Sequence, residues 1–146
     1  MKTQATHSAR NPKGAGKTVL VVDDEESVRR LLRVILSRAG HRVIEASCGR
    51  EALAVFDGGF DLLITDVVMP GMDGVELARL IVLQQPEIGL LFISGHCDEG
   101  TVSLCRSIGA GHFLQKPFTA QVLQEKVLRI LNPASGELSP EYLPAF

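Results

Sequence analysis

Three short apolar runs, Thr18 to Val22 (TVLVV), Asp61 to Thr65 (DLLIT) and Gly89 to Ser94 (GLLFIS), constrain what this chain can fold into. A strand with one wet face alternates apolar and polar residues. These runs do not, so each predicts a strand buried on both faces, as in a parallel sheet covered by helices. Between them the period becomes helical: Val28, Leu31, Leu32, Ile35 and Ala39 recur at that spacing, and Gly40 follows as a stop. Arg29, Arg30 and Arg33 fall on the opposite side, where a solvated surface is expected, with a partner-docking face as the alternative. Arg42 to Ala46 (RVIEA) alternates more and predicts an edge strand. Further helices are predicted over Gly49 to Asp57, Asp73 to Gln84, Asp98 to Ile108 (ended by Gly109) and Thr119 to Leu131, and a short fifth strand over His112 to Gln115. In the third helix the consecutive Leu80, Ile81, Val82 and Leu83 cannot all face one core at about 100° per residue, so at least one must be exposed.

Five strands alternating with five helices predict an α/β fold, a flavodoxin-like (βα)5 three-layer sandwich with a parallel sheet in the order 2-1-3-4-5. Function in such sheets gathers at the C-terminal strand ends. The polar residues do the same: Asp23 and Asp24 after the first strand, Asp66 after the third, Ser94 ending the fourth and Lys116 after the fifth. Pro70, Gly71 and Gly74 break the backbone just beyond Asp66.

Composition narrows the class. With 146 residues, 45% apolar and 22% charged, the chain suits one soluble domain. No apolar run approaches the roughly 20 residues of a membrane span, and the polar N-terminus lacks a signal-peptide pattern, so a cytoplasmic protein is expected. Residues 1–17 hold four basic residues and no acid, leaving 11 of the 15 basic and all 17 acidic residues to the rest. That segment predicts a flexible basic tail, with the folded domain over 18–132 and a second tail over 133–146. Four spread charges without an aromatic make a poor nucleic-acid arm. Gly16-Lys17-Thr18 imitates the end of a phosphate-binding P-loop, but Asn11 stands where its first glycine belongs, and the stretch precedes a strand instead of following one. Cys48, Cys97 and Cys105 show no C-x-x-C spacing and read as packing residues.

Carboxylates crowded at one sheet end repel one another, and each raises the others' affinity for protons unless a cation intervenes. Oxygen ligands without His or Cys select a hard metal, and Mg²⁺ suits a few carboxylates sharing a site with water and a phosphoryl oxygen. Lys116 adds a fixed positive charge and Ser94 a hydroxyl donor. Asp66 is then the natural nucleophile for an aspartyl phosphate.

VLVVDDEESVRRLL, DLLITDVVMPGMDGVEL, LLFISG and FLQKPF, in this order and spacing, resemble the motifs of response-regulator receiver domains of two-component signalling, the CheY-like superfamily, over residues 18 to about 132. The resemblance implies that Asp66 accepts the phosphoryl group, that Asp24 ligates Mg²⁺ directly and Asp23 mainly through water, and that Asp66 and the Val68 backbone carbonyl complete the protein ligands. It implies switch roles for Ser94 and Phe113, the invariant lysine role for Lys116, and a cis bond before Pro117. Ser94 stands where Thr is more frequent and Phe113 where Tyr is. Val68 and His96 occupy positions that tune dephosphorylation in the family. The implied partners are a histidine kinase or histidine phosphotransfer protein and a downstream protein target, with neither nucleic acid nor membrane bound directly and with room for a phosphorylation-linked homodimer.

Such a domain is a signalling module that catalyses only its own phosphorylation and dephosphorylation. A stand-alone regulator is the expected context, and the receiver end of a hybrid sensor kinase the alternative. A Mg²⁺-dependent phosphatase with an aspartyl nucleophile would want D-x-D, whereas Asp66-Val67-Val68 lacks the second acid. A flavin carrier would want a Ser/Thr/Gly-rich loop after the first strand, where two acids stand instead.

Overall fold

The computed structural model describes residues 16–96, 98–108 and 112–133. The tail readings beyond Gly16, Lys17 and Pro133, the Gly109 stop and Cys97 lie outside the described residues. Strands β1 (Thr18–Val22), β2 (Arg42–Ala46), β3 (Leu62–Asp66), β4 (Gly89–Ser94) and β5 (His112–Gln115) alternate with helices α1 (Glu26–Arg38), α2 (Gly49–Val55), α3 (Gly74–Gln84), α4 (Glu99–Arg106) and α5 (Ala120–Leu131). All strand pairs are parallel and the order is β2-β1-β3-β4-β5, the flavodoxin-like arrangement the alternation predicts. Among the described residues no helix is long and apolar enough to cross a membrane.

The continuous apolar runs are explained by their burial. Every residue of β1 and β3 is buried, and successive side chains enter different cores. Val19, Val21, Leu62, Ile64, Leu91 and Ile93 pack with α1 and α5. Leu20, Val22, Leu63, Leu90 and Phe92 pack with α2, α3 and α4. Fully burying one such side chain contributes about 1.5–3 kcal/mol, so these strands hold the layers together. β2 lies at the edge and is only half-buried over most of its length, as its alternation implies.

Helix starts follow local chemistry. The Asp73, Asp98 and Thr119 side chains each accept a hydrogen bond from the backbone N–H three residues on, capping α3, α4 and α5. α3 and α4 therefore begin one residue later than the sequence reading placed them, whereas Thr119 is the N-cap that reading gave it. α2 ends at Val55, before Phe56 turns to extended backbone, and so is two residues shorter than expected.

The stripe on α1 also needs correction. Leu32, Ile35 and Leu36 are its buried residues, whereas Leu31 is 47% exposed, because it sits about 100° round the helix from Leu32. Nor is Arg29 a solvated residue: its side chain is only 17% exposed and lies between Asp23 and Glu45. In α3, Ile81 is fully buried while Leu83 is 79% exposed, which resolves the crowded Leu80–Leu83 run.

Candidate functional site

β3 delivers Asp66 as its own last residue, whereas the sequence reading ended this strand at Thr65 and placed Asp66 just beyond it. Its neighbours fix it closely. Thr65 Oγ1 donates to the Asp66 carbonyl at 2.9 Å, and the Val68 N–H donates to Asp66 Oδ1 at 3.2 Å. The chain then turns through Gly71, whose φ of 79° is left-handed, and returns so that the Gly74 N–H donates to the Val67 carbonyl at 2.8 Å. At Gly74 a Cβ would collide with the Asp66 carbonyl oxygen. The glycine is what allows α3 to start against the acceptor's own backbone.

β1 ends beside β3 and presents the acidic pair. Asp23 is 1% exposed, and its Oδ1 accepts the Glu25 N–H at 2.9 Å. Asp24 is exposed. One carboxylate oxygen from each of Asp23, Asp24 and Asp66 can be chosen so that all lie within 4.8 Å of one another.

β5 supplies the counter-charge. Lys116 Nζ stands 3.1 Å from Asp23 Oδ2, 3.2 Å from Asp66 Oδ2 and 3.2 Å from Glu25 Oε1. Burial alone would lower the Lys116 pKa, but its close contacts with Asp23 and Asp66 and the charge attraction between them outweigh that and raise it. The lysine stays charged. Asp23 is shifted the other way for an acid: desolvation by burial raises its pKa and the charge of Asp66 adds to this, against the lowering effects of the Glu25 N–H and Lys116.

The contact between Lys116 and Asp23 Oδ2 is close enough for an ion pair but poorly aligned for a hydrogen bond, and no donor satisfies that buried oxygen. A buried carboxylate oxygen without a donor, beside two further carboxylates, is a ligand set for a cation. The donors are all oxygen, so the residues fit a hard divalent ion such as Mg²⁺.

Ser94 ends β4 and is 1% exposed; its Oγ accepts the His96 N–H at 3.0 Å, and its carbonyl accepts the Lys116 N–H at 2.8 Å. The Lys116–Pro117 peptide is cis. Phe113 pairs in register with Phe92 and is 2% exposed, packed with Val102, Cys105 and Ile108 in the core beneath α4. Cys105 there is a packing residue whose thiol burial, with some help from the charge of Asp73, pushes up to about 11. Val68 is 64% exposed at the rim, and His96 is exposed too.

Asp23, Asp24, Asp66 and Lys116 thus come together, with Ser94 tied to Lys116 through the backbone and Phe113 set back in the core. Two contributors escaped the sequence reading. Glu25 reaches Lys116, a role its place directly after the acidic pair could have suggested. Arg29 Nη1 donates to the Asp23 carbonyl at 2.7 Å while Arg29 Nε lies 3.4 Å from Glu45 Oε1, tying the acidic loop to β2. Nothing in a helical spacing distinguishes that arginine from Arg30.

Known proteins agree with this geometry. The sequence pattern of the response regulator receiver domain matches residues 19–128. The chain is 33% identical over 122 residues to the chemotaxis protein CheY of Pseudomonas aeruginosa, covering 81% of this chain and 98% of that one. It is 36% identical over 117 residues to the alkaline phosphatase synthesis transcriptional regulatory protein PhoP of Bacillus subtilis, covering 80% of this chain but only 49% of PhoP, so it spans about half of that relative. The solved structure of the chemotaxis protein CheY4 of Vibrio cholerae superposes with a TM-score of 0.75 at 33% identity, covering 80% of this chain and 99% of CheY4. The shared pattern starts on the second residue of β1 and runs into α5, and the chain therefore belongs to the response regulator receiver domain family, the phosphoacceptor side of two-component signalling.

Proposed function

We propose that Asp66 takes a phosphoryl group from the phosphohistidine of a histidine kinase or a histidine phosphotransfer protein. An Asp66 carboxylate oxygen forms the new P–O bond as the P–N bond to the donor imidazole breaks; the imidazole keeps the electron pair and takes up a proton, leaving an aspartyl phosphate. The observation that carries this reading is the charged Lys116 ammonium held 3.1 Å from Asp23 and 3.2 Å from Asp66, beside the oxygen that would attack.

Asp23, Asp24 and Asp66, with the backbone carbonyl of Val68, would hold Mg²⁺. When bound, the ion neutralises charge on the phosphoryl oxygens and relieves repulsion among the acids. The Val68 N–H and the close approach of Gly74 keep the Asp66 carboxylate and backbone in place. Ser94 then releases its bond from the His96 N–H and turns its hydroxyl toward the phosphoryl group, Phe113 moves into the vacated space, and the α4–β5–α5 surface changes shape.

The receiver comprises residues 18–132 between two tails, and α1 with its arginines is the docking side for the kinase. Output passes to a downstream protein target, with a phosphorylation-linked homodimer as one form of it. The context kept is a single-domain regulator, with the receiver end of a hybrid sensor kinase as the alternative. Incubation with acetyl phosphate and Mg²⁺, followed by intact mass, tests the acceptor. One phosphate adduct is expected on wild type and none on Asp66→Asn. No adduct on wild type, or an undiminished one on Asp66→Asn, overturns the assignment. Lys116→Ala should still label while leaving the α4–β5–α5 amide resonances in their unphosphorylated positions.

A further inference from the structure

An ammonium has three N–H donors, and Lys116 faces three carboxylates. They are not equivalent. The Asp23 and Asp66 side chains are 1% and 9% exposed, and each has its other oxygen held by a backbone N–H. The Glu25 side chain is 59% exposed, and Glu25 occupies the N-cap position of α1 without making a side-chain cap. What the site needs from Glu25 for its own assembly is the backbone N–H that fixes Asp23 Oδ1.

A phosphoryl group on Asp66 adds roughly two negative charges beside the same ammonium. It needs a donor from Lys116, whose hydrogen bonds go to Glu25 and Asp66 while its remaining side faces the Asp23 carboxylate. Asp23 cannot leave, being buried and pinned. Glu25 can swing into water at little cost, because an exposed ion pair is worth little.

We propose that Glu25 is a specificity-determining residue of the phosphotransfer reaction: its carboxylate is the displaceable counter-ion of Lys116, and by standing at the mouth of the site it slows reaction with small anionic phosphodonors. The inference rests on Asp66 being the phosphoacceptor. It predicts a penalty that is electrostatic, carried by the side chain, and separate from metal binding.

The test compares wild type, Glu25→Gln, Glu25→Ala and Asp66→Asn, labelled with acetyl phosphate at saturating Mg²⁺ and followed by intact mass at low and high salt. Both Glu25 variants keep the N–H that holds Asp23. Each is expected to label about two- to fivefold faster than wild type at low salt, the size of one exposed ion pair, with the gap closing as salt screens it. Mg²⁺ affinity, read by calorimetry without phosphodonor, is expected to stay within about twofold of wild type, the scale of the same exposed pair. Equal or slower labelling by the variants, a gap indifferent to salt, or a rate change explained wholly by altered Mg²⁺ affinity overturns the role of Glu25 while leaving Asp66 as acceptor. An absent adduct on wild type, or an undiminished one on Asp66→Asn, overturns the acceptor reading and the Glu25 inference with it.

Discussion

On one face of the sheet α1 and α5, 13 and 12 residues long, cover a core whose buried members are all aliphatic: Val, Leu and Ile from four strands and both helices. On the other face α2 and α4 have only 7 and 8 residues, and with α3 they cover a core that mixes Phe56, Phe60, Phe92 and Phe113 with Ala46, Ala52, Ala78, Met69 and Cys105. Long helices on branched aliphatic side chains interlock in few ways. Large rings beside alanines leave more ways to repack, and the ring next to α4 is Phe113. The proposed switch would therefore start on the second face, around Phe113, and reach α5 through β5, while α1 and the aliphatic core hold the first face, with the charged cluster lying where both meet the strand ends.

The largest effect should come from cutting into the supporting face. Leu36 is fully buried there, and Leu36→Ala is expected to cost about 2–5 kcal/mol, read as a lower urea midpoint. The surviving folded molecules should still label with acetyl phosphate at the wild-type rate. A labelling rate per folded molecule that drops with stability would break the comparison, since this face would then be shaping the site and not only holding it.

Gly74→Ala comes next, on the other face. The added Cβ meets the Asp66 carbonyl oxygen, a backbone atom that cannot swivel aside, so α3 or the end of β3 must shift, at about 1–3 kcal/mol. Here stability and labelling should fall together. Wild-type labelling would mean that the acceptor tolerates movement of α3. A smaller loss, about 1 kcal/mol, is expected for Arg29→Met, which cuts the bond to the Asp23 carbonyl and the pairing with Glu45. Mg²⁺ affinity should weaken with it, and calorimetry reads both.

The supporting face was also the more legible one in sequence. Doubly buried strands announce themselves as unbroken apolar runs; β1 and β4 begin and end where those runs do, and β3 is displaced by one residue, Leu62–Asp66 against the expected Asp61–Thr65. Asp23, Asp24, Asp66, Ser94 and Lys116 were legible because each closes or follows such a run. Leu31 and Leu36 exchanged places because helical spacing gives a stripe only to within one residue, and the strands decide which edge is dry. The contacts of Glu25 and Arg29 were harder to read: they join β1 to β5 and α1 to β2, and a spacing pattern says nothing about what another element brings alongside, so only the place of Glu25 directly after the acidic pair offered a signal.

The smallest expected effect is a pH dependence at the edge of the supporting face. His112 alternates with Phe113 on β5 and so lies on the side of Leu114 and α5. Burial lowers its pKa below the ordinary 6.5, and the positive charges of Lys126 and Arg129 lower it further. The unfolded chain therefore binds this proton at a higher pH than the folded one does. Unfolding free energy rises with pH wherever the unfolded state holds more protons, so the stability is fully present above 6.5 and declines as pH falls through the window below it. His41, also lowered by burial and by Lys17 against the opposing charge of Asp61, contributes in the same direction. Urea midpoints at pH 7.5 and pH 5.5 should thus differ for wild type, and His112→Gln should shrink the difference without abolishing it, His41 remaining. An unchanged difference would mean that α5 yields to a charged His112, and that the supporting face is softer at β5 than at β1.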